Sequence, residues 1–135
     1  MKHMLATVGL GLLALTATQT VRAQDAQKVP PFIQETYPGQ AIKAAVVERK
    51  EVMRPGALDS KTKYLIALGV AAQIPCRYCV YFDTKAAKHA GATDAQIKEA
   101  IAAAALVRKW STVLNGSAYD FDKMKREVDA EFAGQ

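Results

Sequence analysis

The spacing of proline and glycine limits the length of every regular element in this chain. These breaks separate segments in which apolar residues recur three or four positions apart, the spacing of one helix side. No segment alternates apolar and polar residues as a half-buried strand does. The pattern predicts an all-α fold, a single helical domain of about six helices. The breaks are Pro38-Gly39, Pro55-Gly56, Pro75, Gly91 and Asn115-Gly116.

Local signals set the ends of the predicted helices. The first runs from Pro30-Pro31 to Tyr37, and the second covers residues 41–53. Asp59 or Ser60 caps the third, which Pro75 ends because the residue before a proline avoids helical angles. The fourth starts at about Cys76 and ends at Gly91. Thr93 and Gln96 fit a capping box for the fifth, which reaches Gly116, and a sixth repeats apolar residues from Phe121 to Phe132.

Two predicted helices carry wide apolar faces. Every residue from Tyr64 to Ala72 except Gly69 is apolar, so we expect the third helix to be buried on most sides. The small residues between Ala100 and Val107 allow another helix to approach the fifth closely. Such faces exceed what one small monomer covers, which predicts a homo-oligomer, with a monomeric bundle as the alternative.

The first residues have the order of a secretory signal peptide. Lys2 is followed by the apolar run from Met4 to Leu15, and the small residue Ala23 stands before Gln24. We predict a signal peptide at residues 1–23 and a helical domain at residues 24–135. The apolar run is shorter than the roughly 20 residues that span a bilayer. An uncut anchor is the alternative. Export, with the periplasm as first choice, predicts that the cysteines form a disulfide at rest.

Charge and motifs exclude several classes of function. The net charge of the 135-residue chain is +5 at pH 7, and the basic residues are scattered between apolar positions as on wetted helix faces. The chain contains no glycine-rich phosphate loop. We therefore expect no nucleic acid partner and, after signal cleavage, no membrane partner.

The two cysteines, Cys76 and Cys79, stand within one helical turn and suggest a redox pair. Free N–H groups at a helix start favour the thiolate of Cys76, and Arg77 adds positive charge that tunes the thiol pKa. Helical residues three apart hold their Cβ atoms about 5–6 Å apart, whereas a disulfide needs about 3.8 Å. The gap closes if Cys76 is the cap, and Pro75 favours that position for the helix boundary.

Two other interpretations of the pair remain open. A zinc site needs about four ligands, and Asp83 and His89 are the candidates to complete one. However, ten residues separate Cys79 from His89, about 15 Å along one helix. A structural disulfide is the second alternative, although a loop this short constrains the unfolded chain little.

The segment from Leu58 to Gly116 resembles the alkylhydroperoxidase D / carboxymuconolactone decarboxylase family, in its branch with a Cys-x-x-Cys pair. The resemblance implies an all-helical domain that assembles into dimers, trimers or hexamers. It also implies thiol-based peroxide reduction or related disulfide chemistry, with no metal or organic cofactor. The matching residues are Lys61, Lys63, Leu65-Ile66-Ala67-Leu68, Val70-Ala71, Cys76-x-Tyr78-Cys79, Thr84, Ala87, Gly91-Ala92-Thr93, Ile97, Glu99 and Ala100.

The chain departs from the family at two catalytic positions. The family's histidine, four residues after the second cysteine, is replaced by Asp83, and its glutamate, twelve residues before the first cysteine, by Tyr64. An ionised Asp83 raises the pKa of Cys79, whereas a desolvated one can accept the thiol proton. Tyr64 can donate a hydrogen bond. Family analogy makes Cys79 the attacking thiol, but helix electrostatics favour Cys76, and the sequence leaves the choice open.

The predicted site therefore consists of Cys76, Cys79, Asp83 and Tyr64, with Arg77 tuning the thiols. We predict a thiol-dependent peroxidase or thiol–disulfide oxidoreductase that takes a peroxide or disulfide as substrate and a thiol as reductant. The alternative is a non-enzymatic relative with an inert disulfide. His89 is expected to interact with the helix C-terminus. We interpret Trp110 and Tyr81 as packing residues.

Overall fold

The computed structural model describes residues 29–134, and in these residues it contains six helices and no strand. The all-α prediction is confirmed, and the helix ends differ from the predicted ones by no more than two residues. The predicted signal peptide lies outside the described residues. The helices are α1 (Pro31–Thr36), α2 (Gly39–Met53), α3 (Ser60–Gln73), α4 (Arg77–His89), α5 (Asp94–Gly116) and α6 (Phe121–Phe132).

The chain divides into two compact units between Glu48 and Arg49, within α2. The described part of the first unit contains α1, which begins with a proline at its first position, and the larger part of α2. The second unit contains the end of α2 and the helices α3 to α6. The two cysteines and the residues around them belong to this second unit.

Capping residues lie at the helix ends that the sequence predicts. The carboxylate of Asp59 accepts a hydrogen bond from the N–H of Thr62 at 2.6 Å and caps α3. Thr93 and Gln96 form the predicted capping box of α5 through reciprocal hydrogen bonds of 3.0 and 3.2 Å. Gly91 has a φ of +89°, the left-handed conformation expected after α4. These residues set where α3 and α5 begin and where α4 ends.

The core of the second unit lies where α3, α4 and α5 meet. We call the buried residues Leu68, Ala87, Ala92 and Ile97 the core cluster. Leu68 has no exposed surface. At Gly69 the helices α3 and α5 lie close together, because a Cβ at this position would be in van der Waals contact with the Cβ of Ala104, at 3.4 Å. The small residues of α5 therefore do admit a neighbouring helix, as the sequence predicts.

A polar contact joins the end of α3 to the middle of α5. The guanidinium of Arg108 donates to the side-chain oxygen of Gln73 at 2.7 Å and to its carbonyl at 2.8 Å. The amide nitrogen of Gln73 also donates to the carbonyl of Ala104. This contact holds the C-terminal end of α3 just before the cysteine pair.

The expectation that α3 is buried on most sides is wrong for the single chain. Leu68 and Ala71 are buried, but Ile66 and Val70 are 53% and 55% exposed. The reason is that α4 and α5, the helices that contact α3 in the described chain, leave Ile66 and Val70 uncovered. Trp110 and Tyr81 are also more than half exposed, so residues 29–134 do not bury them as predicted.

The C-terminal part of the second unit leaves apolar side chains uncovered. Within the described chain, α6 packs against no other helix, although Phe121 and Phe132 lie on it with most of their surface exposed. On α5, Leu106, Val107 and Val113 also have half or more of their surface exposed. In residues 29–134, no helix has both the length and the apolar character needed to cross a membrane.

Candidate active site

The two cysteines are joined at the start of α4. Their Sγ atoms lie 2.06 Å apart and their Cα atoms 5.3 Å apart, as in a disulfide bond. Cys76 is the N-cap of α4 and has extended backbone angles, so it stands outside the regular helix. This is the cap position that the sequence requires for the two sulfurs to meet. The structure thereby brings the predicted redox pair together.

One backbone N–H of α4 donates to the sulfur of Cys76. The N–H of Cys79 donates a hydrogen bond to the Sγ of Cys76 at 3.2 Å. A helix start concentrates such N–H groups, which stabilise negative charge on a nearby atom. After reduction, the same groups would favour the thiolate of Cys76 over its thiol.

Solvent reaches the neighbourhood of the disulfide. Both cysteines are partly exposed, and Pro75 and Arg77 on either side of Cys76 are exposed. The ring of Tyr78, between the cysteines in sequence, is 73% exposed. The guanidinium of Arg77 donates to the hydroxyl of Tyr78 at 3.1 Å. The pair is thus not enclosed in the interior, a requirement for exchange with an external reactant.

Asp83 is the buried charged side chain of the described chain, with 8% of its surface exposed. It follows Cys79 by one helical turn and precedes Ala87 by another, so these three residues share one side of α4. Burial raises the pKa of the Asp83 carboxyl, and the positive charge of Arg49 opposes this shift without cancelling it. Asp83 therefore has the desolvated environment that makes a carboxylate a better proton acceptor.

Arg49 lies near Asp83 although no sequence motif marks it as a site residue. Its guanidinium lies 4.1 Å from the centroid of the Phe82 ring, a cation–π distance, and its charge acts on Asp83. Arg49 comes from α2, more than 30 positions before Asp83 in the sequence. The sequence gives only a general reason to expect such a partner, because a buried carboxylate is usually paired with a cation.

Tyr64 takes part in core packing. Its partly buried ring contacts the core cluster, which includes Ala87, one turn after Asp83. In the described chain no hydrogen bond connects Tyr64 or Asp83 to either sulfur. The structure thus joins Cys76 with Cys79 and orders Asp83 along the same helix. Tyr64 lies on the neighbouring helix, α3, and makes no hydrogen bond to the pair.

The remaining candidates lie at the other end of α4. His89 is the last residue of α4 and is exposed, the position in which it can interact with the helix C-terminus. The described residues contain no cluster of three histidine, cysteine, aspartate or glutamate side chains arranged to hold a metal ion. Asp83 and His89 therefore do not complete a ligand set with the cysteines here.

Comparison with known proteins gives the family. Residues 40–119 match the carboxymuconolactone decarboxylase family. An uncharacterized protein in the cox locus of Paracoccus denitrificans is 48% identical over 59 residues, which are 44% of this chain and 53% of that protein. The chain thus matches about half the length of this curated relative.

A crystal structure supports the same assignment. A protein from Methanobacterium thermoautotrophicum, solved as a structural genomics target, superimposes with a TM-score of 0.56 at 29% sequence identity. The superposition covers 64% of this chain and 96% of the other. With its Cys76–Cys79 pair consistent with the Cys-x-x-Cys branch, the chain belongs to the carboxymuconolactone decarboxylase family.

Proposed function

We propose that this protein is a thiol–disulfide redox protein in which Cys76 and Cys79 alternate between dithiol and disulfide. The observation that carries the proposal is the joined, partly exposed pair at the start of α4. The electron acceptor is a peroxide or another disulfide, and an external thiol returns the electrons. Membership of a family whose Cys-x-x-Cys branch resembles alkylhydroperoxidases supports the same chemistry.

In the peroxide reaction Cys76 is the attacking thiol. Its thiolate attacks the outer peroxide oxygen, the O–O bond breaks, and the alkoxide leaves as an alcohol after taking a proton from solvent. The sulfenic acid on Cys76 then condenses with the thiol of Cys79, forming the S–S bond and releasing water. An external dithiol reduces the disulfide by exchange and is itself oxidised. The hydrogen bond from Cys79 N–H to the sulfur of Cys76 favours this order.

Asp83 assists the second half of this cycle as a base. One turn after Cys79, its desolvated carboxylate accepts the thiol proton, by contact or through a water, as Cys79 attacks the sulfenic acid. The positive charge of Arg49 favours the ionised form of Asp83. Tyr64 supports the site by packing beneath α4.

Cysteine variants test the proposal. Peroxide consumption and exchange with a small disulfide would be measured on reduced protein, with Cys76→Ser and Cys79→Ser beside the wild type. Neither variant can form the intramolecular disulfide, so both should lose the turnover that depends on it. Cys79→Ser should in addition accumulate an oxidised Cys76 that dimedone labels. Ser111→Ala, an exposed change on α5, serves as the control. Unchanged peroxide and disulfide activities in both cysteine variants would refute the proposal.

An inert structural disulfide is the second candidate, because Tyr64 and Asp83 replace the family's proton-relay residues. The reduction potential of the pair separates the two candidates. A potential below about −300 mV indicates a structural bridge, and one well above it a working redox pair. If the lost relay limits turnover, the double change Tyr64→Glu with Asp83→His should raise peroxidase activity.

We also propose that the protein is a homo-oligomer, a dimer, trimer or hexamer. Support comes from α6, which packs against no other described helix while Phe121 and Phe132 are exposed. The uncovered apolar side chains of α5 add to this surface. A second copy can bury such side chains, since contiguous exposed apolar patches mark association surfaces. Export, with the signal peptide at residues 1–23, remains a prediction.

A further inference from the structure

An open groove of about 650 Å³ lies along one side of α4. Neither cysteine lines it, and its α4 residues recur three or four positions apart from Arg77 to Lys88, on a side of the helix away from Cys79. Val80 and Tyr81, whose ring is 70% exposed, give the groove an apolar surface. The groove is thus a surface separate from the redox pair, with room for several side chains.

The groove carries positive charge that is only partly paired. Its cations are Arg77, Lys85 and Lys88, and among the described residues no aspartate or glutamate lines it. Lys88 forms an ion pair with Asp94 at 2.6 Å. In the described chain no carboxylate lies within ion-pair distance of Lys85, whose ammonium is 5.7 Å from the centroid of the Tyr81 ring. The occupant that suits this groove brings a carboxylate to Lys85 and an apolar side chain to Tyr81.

Helix α6 has the complementary properties. Phe121, Val128 and Phe132 lie exposed along one side of it, which we call the α6 stripe, and α6 packs against no other described helix. Asp129 follows Val128 and Glu131 precedes Phe132. Because successive helical residues are about 100° apart, one of these carboxylates stands on each flank of the α6 stripe. Neither has an ion-pair partner within the described part of the chain.

The two surfaces agree in length and in the direction of their charge. The groove side of α4 covers residues 77–88, and α6 covers residues 121–132, each 12 residues or about 18 Å of helix. If the two helices run the same way, the end of α6 that carries the two carboxylates comes level with Lys85. The opposite direction would place Lys125 there instead, beside a like charge.

We propose that the groove of one copy binds α6 of a second copy. The α6 stripe covers Val80 and Tyr81, and a flanking carboxylate pairs with Lys85. Amphipathic helices bind grooves in this way, through apolar anchors spaced by whole helical turns. A second copy supplies the helix because α6 does not pack against α4 of its own chain. In a closed assembly, every copy gives one α6 and receives one. The inference rests on the proposed homo-oligomer and not on the redox chemistry.

Reversing the charge of either surface should weaken association. The dissociation constant of the full chain is measured by sedimentation equilibrium over a range of concentrations. Lys85→Glu, and separately Asp129→Lys with Glu131→Lys, should raise it about ten-fold or more, because like charges then meet across the contact. Lys98→Glu, at an exposed position in the first half of α5, changes the net charge as Lys85→Glu does and should leave the dissociation constant unchanged.

Combining the two sets of changes separates a direct contact from an indirect effect. A variant with all three substitutions has opposite charges at the contact again. In an equal mixture of the two weakened variants, each groove also meets an α6 of opposite charge from the other variant. The triple variant and the mixture should therefore both associate about ten-fold more tightly than either weakened variant alone.

The outcomes distinguish this contact from the proposals on which it does and does not depend. An oligomeric wild type with equal dissociation constants in Lys85→Glu and Lys98→Glu would overturn the groove as a contact surface. Weakening without recovery in the triple variant would exclude α6 as its occupant. A monomeric wild type would overturn the homo-oligomer together with this contact. The cysteine variants test the redox proposal separately, because none of the residues changed here belongs to the pair.

Discussion

At the scale of single residues, the backbone position of Cys76 and the burial of Asp83 decide what the cysteine pair can do. The spacing of Cys76 and Cys79 and the proline before them give the cap position that lets the sulfurs meet. Asp83 was identified from its place one turn after Cys79, but the sequence does not tell whether it is ionised. That depends on burial and on Arg49, which comes from a helix distant in sequence.

The burial of Asp83 predicts a pH-dependent gain in stability for Asp83→Asn. Folding raises the pKa of Asp83, because its buried carboxylate is less stable than the buried protonated form. Below the usual aspartate pKa of about 3.9 the side chain is protonated in both states and costs the wild type no stability. As the pH rises through the folded pKa, the buried side chain must ionise and the wild type loses stability. Asparagine carries no charge, so the variant should become more stable relative to the wild type over this same rise in pH. Urea unfolding of the oxidised protein across acid and neutral pH measures the difference.

Asp94→Asn is the matched control for this experiment. The ion pair with Lys88 holds the pKa of Asp94 below its usual value, so this carboxylate adds stability above the unfolded pKa. The contribution is lost as the pH falls through the folded pKa. Asp94→Asn should therefore lose stability, relative to the wild type, as the pH rises. The same pH trend in both variants would contradict the assigned environment of Asp83.

Removing the charge of Arg49 should raise the pKa of Asp83 further. Arg49 acts on Asp83 through its positive charge and contacts Phe82 through its guanidinium plane. Arg49→Gln removes the charge, whereas Arg49→Lys keeps it and alters the stacking. Titration of the Asp83 side-chain carbon by NMR should show a higher pKa in the glutamine variant and a smaller change in the lysine variant. An unchanged pKa in Arg49→Gln would exclude Arg49 as the counter-charge.

At the scale of helices, the sequence predicted what is encoded locally. Asp59, Thr93, Gln96 and Gly91 act within a few residues of their own positions, and each has its predicted role. The contact between Gln73 and Arg108 was not predictable, because it joins residues 35 positions apart. The exposed side of α3 was missed for a related reason. An apolar sequence shows that a face avoids water, but it does not show which element covers that face.

Loss of the α5 capping box should destabilise the protein without altering its fold. Thr93→Ala removes the hydroxyl that accepts from the N–H of Gln96, which costs about 1 kcal/mol in the free energy of unfolding. Thr112→Ala is the matched control, because Thr112 is exposed within α5 and bonds only to the carbonyl of Arg108. Its effect should stay within about 0.5 kcal/mol. Equal losses in urea unfolding would show that the capping box contributes nothing beyond the residue change.

At the scale of the whole molecule, the uncovered apolar side chains of α5 and α6 lie on elements other than the one that carries the cysteine pair. The cysteine pair lies at the start of α4, which packs against α3 through the core cluster. The exposed aromatic side chains Phe121 and Phe132 lie on α6, and Leu106, Val107 and Val113 lie on the second half of α5. If copies associate through α5 and α6, the pair does not have to be buried by that contact. Assembly and redox chemistry can then be altered separately.

Changes on α6 should therefore dissociate the proposed oligomer while leaving the cysteine chemistry intact. Phe121→Ser with Phe132→Ser removes two exposed aromatic side chains, and since α6 contacts no other described helix, the remaining helices should stay folded. Light scattering after size exclusion should give a smaller mass than for the wild type. Arg126→Gln, an exposed polar position of α6, should keep the wild-type mass. A monomeric wild type, or an unchanged mass in the double variant, would contradict assembly through α6. Equal reduction potentials in both variants would show that the pair works independently of this contact.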